Sequence, residues 1–233
     1  MRKFDTPARS SSAKRSKKKI SISSAQLSEI KNYFDSCVSE IKKKFSIYDV
    51  LISGTATDEE IAASEDILRF QLVSIDSVFE IYMHKIFTYG IKKMFNEEWE
   101  KTGQYNKITV KLPVVENALL NPEDTTWIEN IIEEFKAKDT FMSSSSVVFA
   151  LNAIGVEFND IAVALSYVSA NDLRIKIDNI YKRRTDIVHY ADMDISTQTK
   201  NSIDKSLVEN AINTIETFCN EVYKTIDNKD KIS

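Results

Sequence analysis

The chain has 233 residues, of which only 4 are Gly and 3 Pro, and a net charge of −4. Average usage would place roughly 28 Gly and Pro in this length, so turns and tight loops are scarce and long helices with few connections are expected. Gly54, Gly90, Gly103 and Gly155 lie too far apart for a GxGxxG fingerprint, a P-loop or a GxSxG elbow, which excludes phosphate cradling by a glycine-rich backbone.

The first 20 residues carry eight Lys/Arg against Asp5 alone, a charge of +7 that leaves −11 for the rest of the chain. Such a Ser/Lys-rich stretch cannot bury apolar surface, and residues 1–22 are expected to form a disordered basic tail. Its lysines, Lys17, Lys18 and Lys19 among them, read as an RNA-binding arm or an import signal, or else as a solubilising tail. Residues 23–228 read as one α-helical domain, and the fold class is all-α.

From Ser24, a plausible N-cap, to about Tyr48, apolar residues recur at Leu27, Ile30, Phe34, Val38, Ile41 and Phe45 with helical spacing. After a break at Ser53-Gly54-Thr55, Asp58 to Phe95 reads as one long helix, the spine of a bundle. Residues 96–121 are the least helical. There, 107–112 alternates like a short strand, and Pro113 can open a short helix. Asp124 or Thr125 caps a helix carrying Trp127, Ile128, Ile131 and Phe135, and two short helices are expected at 147–154 and 159–168. Asn171 or Asp172 caps a helix running to about Asp192, and a last helix spans roughly 200–226.

No apolar run approaches the ~20 residues of a membrane span, and the basic start lacks the apolar core of a secretory signal. Cys37 and Cys219 each fall inside a helical apolar pattern, which suits reduced thiols, so a cytoplasmic location is expected. With His84 and His189 they lack any zinc spacing, and neither a metal nor a cofactor is expected.

The stripe Leu173, Ile177, Ile180, Ile187/Val188, Ala191 has an arginine, Arg184, in its middle. A guanidinium keeps its charge and must meet an anion or water, so an arginine on a core stripe is a site candidate. His189 supplies a group that titrates near neutral pH, Arg183 a second cation, and Asp192, at i+3 from His189, a carboxylate within reach to orient the imidazole. Together they suit stabilising a phosphate while moving a proton. The same spacing equally suits an interhelical ion pair and an ordinary helix histidine.

Arg183-Arg184-Thr185-Asp186-Ile187-Val188-His189-Tyr190-Ala191-Asp192 resembles the R-x4–6-H signature of the HEPN superfamily. It is most similar to the RRNxIVHxAD variant of the branch called RiboL-PSP-HEPN. Residues 68–84 resemble that branch's long first conserved helix, and the closing helix with Ile203, Leu207, Ile215 and Val222 fits the same pattern. The resemblance implies a helical bundle that forms a homodimer with two motif helices facing each other, a facing protomer covering Arg184. It also implies a metal-independent endoribonuclease, a toxin or defence effector with a partner protein such as an antitoxin. The RNA 2′-OH would attack the adjacent phosphate, leaving a 2′,3′-cyclic phosphate. His189 and Arg184 would be catalytic, with Arg183, Thr185 and Asp192 in support. Thr185 stands where the family usually has Asn; it keeps a hydroxyl but loses the amide's paired hydrogen bonds. The alternative is a catalytically inactive HEPN-like scaffold that binds RNA or protein.

Overall fold

Buried Leu27, Ile30, Phe34, Val38 and Ile41 form one face of α1 (Gln26–Lys43). The computed structural model describes residues 19–23, 25–121, 124, 126–128, 130, 131, 134, 140–194 and 196–232. Ser24, Thr125, Phe135, Lys17 and Lys18, all named above, therefore lie outside the described residues. The helix expected to reach Tyr48 is two helices, α1 and α2 (Phe45–Leu51). At Lys44 the backbone N–H donates to Ile41 O, three residues back, which overwinds the turn and breaks the α register.

α3 (Asp58–Phe95) is the spine, about 57 Å long at the helical rise. Thr57 opens it with a reciprocal capping box: Glu60 N donates to Thr57 Oγ1 (3.3 Å), and Thr57 N donates to the Glu60 carboxylate (2.8 Å). Three acids in the first turn and Lys92 and Lys93 in the last complement the helix dipole. Leu68, Leu72, Ile75, Phe79, Tyr82, Met83, Ile86 and Phe87 are all buried along it.

A 3₁₀ turn at Tyr105–Lys107 and α4 (Leu112–Leu120), with Pro113 in its first turn, follow. The expected strand at 107–112 does not form; six residues with no sheet edge beside them have nothing to pair with. Asp124 Oδ1 accepts from Thr126 N ahead of the helical stretch that holds Trp127 and Ile128. Next come α5 (Ser144–Ala153), capped by Ser143, and α6 (Phe158–Ala164).

α7 (Ala170–Tyr190) carries the motif. Its cap is Ser169 rather than Asn171 or Asp172, because Asp172 is the returning carboxylate of a second capping box. A small antiparallel hairpin absent from the sequence reading follows, β1 (Met193–Asp194) on β2 (Thr199–Lys200). It delays α8 (Lys205–Ile232), whose first turn receives the Asp204 carboxylate at Leu207 N (2.8 Å). Among the described residues the fold is thus all-α but for that hairpin.

α1, α2, α5, α7 and α8 all pack on α3. Phe79 and Phe158 bracket Phe218 of α8, and the buried Tyr82 hydroxyl donates to Cys219 O. Cys219 is buried and Cys37 half-buried, and both are free thiols. Asn96, at the end of α3, grips the chain start from both sides: Ile20 N donates to its Oδ1 and its Nδ2 donates to Ile20 O, each at 2.8 Å. Ile20 is buried, so the body begins before residue 23 and takes in the end of the expected tail; Lys19 beside it is exposed. Among the described residues no single helix is long and apolar enough to cross a membrane.

Gly90 lets α3 approach the α5–α6 turn. A Cβ there would meet Ile154 Cγ2 at 2.5 Å and Cβ at 2.6 Å. Gly→Ala inside a helix ordinarily gains about 1 kcal/mol. Here overpacking dominates, and Gly90→Ala is expected to destabilise by about 1–3 kcal/mol in urea unfolding.

Candidate functional site

α7 is held in place before its motif begins. Leu173, Ile177 and Ile180 are buried, and Asp178 caps α5 by accepting from Ser144 N (2.8 Å) and Ser144 Oγ (2.7 Å). Beyond Ile180 the stripe gives way: Arg184 is 20% exposed, Ile187 half-buried, and Val188, His189 and Tyr190 are exposed.

The helix ends at Tyr190, short of the expected Asp192. Ala191 and Asp192 both take left-handed backbone (φ 51° and 59°), and Asp192 N closes back onto Asp186 O at 3.0 Å. Without a glycine the signal for this stop is missing from the sequence. The turn carries Asp192 away from His189 and into the core, where it is fully buried. Its Oδ2 accepts from Arg69 Nε (2.7 Å) and Arg183 Nη2 (2.9 Å), and Asn201 N donates to its backbone carbonyl (2.8 Å). The expectation that Asp192 orients the imidazole is therefore replaced: Asp192 pins the α7–β1 turn to α3. Arg183 is spent on the same carboxylate and on Ser202 O, rather than standing as a free second cation. Burial works against the Arg69 charge, but the Asp192 and Glu65 carboxylates outweigh it and hold the guanidinium above its usual pKa. Thr185 Oγ1 donates to Tyr181 O one turn back, a local bond that leaves the hydroxyl engaged with its own helix.

Arg184 faces α3 of the same chain, so its inner side is covered without a second protomer. Asp76 Oδ2 lies 3.7 Å from Arg184 Nε, too far for a hydrogen bond, and both buried atoms lack a hydrogen-bond partner among the described residues. Asp76 is 1% exposed. Burial raises its carboxyl pKa most, the Arg184 charge pulls it back, and Glu80 raises it further, to about 7. The sequence held a signal for Asp76, an acid at core spacing between Leu72, Ile75 and Phe79, of the same kind that marked Arg184.

His189 makes no side-chain hydrogen bond or ion pair among the described residues and points about 140° round the helix from Arg184. The structure thus brings together Arg69, Arg183 and Asp192, and separately Asp76 and Arg184, but joins His189 to neither group. His84 lies on α3 with its ring 4.5 Å from that of Phe141, in the turn before α5, and its Nε2 3.7 Å from Glu80 of the same helix. A groove of about 670 Å³ between α7 and α8, lined by Lys176, Asn179, Arg183, Asn210 and Asn213, runs along the other side of the motif helix. Among the described residues no three His, Cys, Asp or Glu side chains gather as a metal ion would require. No protein-family model, curated protein or solved structure matches the chain.

Asp192→Ala takes the shared anion from the buried Arg69, which keeps Glu65 and Asp66 at its outer edge, and from the half-buried Arg183, and is expected to cost about 3 kcal/mol in denaturant unfolding. The Asp76 carboxyl titrates higher in the folded chain than in the unfolded one. Its stabilising contribution is therefore complete below about pH 4 and lost as pH rises through about 7. Asp76→Asn, which stays neutral, should match wild-type thermal stability near pH 4 and exceed it above pH 7.

Proposed function

We propose that the chain is a HEPN-like, metal-independent endoribonuclease that acts as a homodimer in the cytoplasm, as a toxin or defence effector held by a partner protein. The observation that carries this reading is the state of the two motif residues on α7. Among the described residues His189 is exposed with no side-chain partner, and Arg184 keeps a fifth of its side-chain surface open while its inner edge faces a carboxylate. His189 takes the proton of an RNA 2′-OH or returns one to the leaving 5′-oxygen, a contribution worth about 10²–10⁴ in rate. Arg184 binds the phosphate and stabilises charge as the fifth oxygen bonds to phosphorus. The 2′-O–P bond forms and the P–O5′ bond breaks, leaving a 2′,3′-cyclic phosphate and a 5′-OH. A second protomer brings its own motif helix opposite, so that an Arg184 and a His189 on different sides of one helix both reach a strand lying between two. Lys17, Lys18 and Lys19 add non-specific contacts to the RNA backbone.

The second reading, a non-cleaving scaffold for RNA or protein, is favoured by one observation: Arg183, Thr185 and Asp192 are all engaged in holding the fold. An RNA-cleavage assay in EDTA separates the two. The nuclease leaves 2′,3′-cyclic phosphate ends, and His189→Ala and Arg184→Ala each lower its rate at least about 10²-fold. The scaffold retains RNA with a steep salt dependence and cuts none. Cleavage undiminished in the double variant sinks the nuclease reading.

A further inference from the structure

Two ion pairs tie α7 to α3, and they differ in a way that bears on ligand binding. In the first, every arm of Asp192 is hydrogen-bonded, to Arg69, Arg183 and Asn201. In the second, Asp76 Oδ2 and Arg184 Nε face each other across 3.7 Å, buried and unbonded. Separating that pair breaks no hydrogen bond, so its energy is purely that of two charges at short range. Arg184 Nε is buried while the side chain as a whole is one-fifth exposed, so the guanidinium is open to a ligand from its outer side.

The surroundings leave Asp76 dependent on that single cation. Glu80, one turn on along α3, is a like charge, and His84 Nε2 beyond it lies 3.7 Å from the Glu80 carboxylate. α5, packed on both α3 and α7, has the sequence SSSVVFALNA and contributes no titratable side chain. Among the described residues, no charged group of α1, α2 or α8 acts on Asp76.

We infer that Asp76 is the exchangeable counter-charge of Arg184: an RNA phosphate that binds the outer edge of the guanidinium takes its place, and Asp76 takes up a proton from solvent. The inference rests on the reading that Arg184 is the phosphate-binding residue. With a phosphate anion at Arg184, an ionised Asp76 shares one cation with it and repels it, and its neutral form is favoured. Burial already holds the carboxyl near neutrality, so the exchange falls within the physiological range. The charge bookkeeping closes: one anion and one proton arrive together, and the charge buried at the α3–α7 contact does not change. Asp76 thereby sets the pH dependence of substrate binding without touching the reacting atoms.

The test is RNA binding by the full-length His189→Ala protein, which lacks both cleavage and the imidazole's own titration. A short single-stranded RNA is titrated at constant salt from pH 6 to pH 8. Affinity is expected to fall about tenfold over that range by proton linkage, and the fall is expected to vanish when Asp76→Asn is added. An unchanged slope in His189→Ala/Asp76→Asn overturns the inference. Arg184→Ala in the same background keeps the two claims apart. If it binds RNA as tightly as its parent, the phosphate-site reading fails and the inference falls with it. If it weakens binding while Asp76→Asn keeps the slope, only the inference fails. Carboxyl ¹³C NMR of Asp76 in the parent reads the same proton should the Asn variant not fold. Protonation on adding RNA supports the exchange, and a carboxyl that stays ionised overturns it.

Discussion

A guanidinium cannot be discharged, and three of them lie against the seam between α3 and α7. Arg69, Arg183 and Arg184 must each find an anion, and the two buried carboxylates that answer are Asp192 and Asp76, with the more exposed Glu65 and Asp66 adding to Arg69. Much of the local architecture follows from that demand. The left-handed stop after Tyr190 brings Asp192 beneath the helix at a backbone cost of about 1–2 kcal/mol per residue. Two arginines then hold it there. The hairpin exists on the same terms, since Asn201, just after β2, donates to the carbonyl of Asp192. Where the carboxylate is saturated, at Asp192, the contact is architecture. Where it is not, at Asp76, charge remains for chemistry.

The poverty in glycine acts on both halves of the molecule. It removes glycine-rich loops that could wrap a phosphate in backbone N–H groups, which shifts the burden of any phosphate contact toward side chains projected by helices. It also forces ordinary residues into positions glycine would normally take, Ala191, Asp192 and Ser166 among them. The retained glycine that matters most, Gly90, is kept for a close helix approach rather than for a turn.

How legible this was in the sequence depends on the distance over which each feature is decided. Helices α1, α3, α7 and α8 announce themselves because a buried face repeats over many turns, and Leu173, Ile177 and Ile180 are core as their spacing implies. Arg184 was marked by its place on that stripe. The split at Lys44 and the hairpin at Met193–Lys200 rest on a few backbone bonds and leave no period to read. For Asp192 helical spacing misleads for a definite reason: the helix stops at Tyr190, and the partner that claims the carboxylate, Arg69, lies 123 residues earlier. Asp76 was visible as an acid among core residues, but its meaning came only when folding set it against Arg184.

The grip of Asn96 on Ile20 fixes a ruler into the molecule. Asp76, and with it Arg184, sits twenty residues up α3 from Asn96, about 30 Å at the helical rise. Lys19 adjoins the clamped Ile20 and so belongs to the far end of that span. Within one protomer Lys19 therefore cannot reach a ligand held at Arg184. If RNA is the ligand, a strand touching both has to extend over several nucleotides, which makes length, rather than base identity, the first quality such an arrangement would measure.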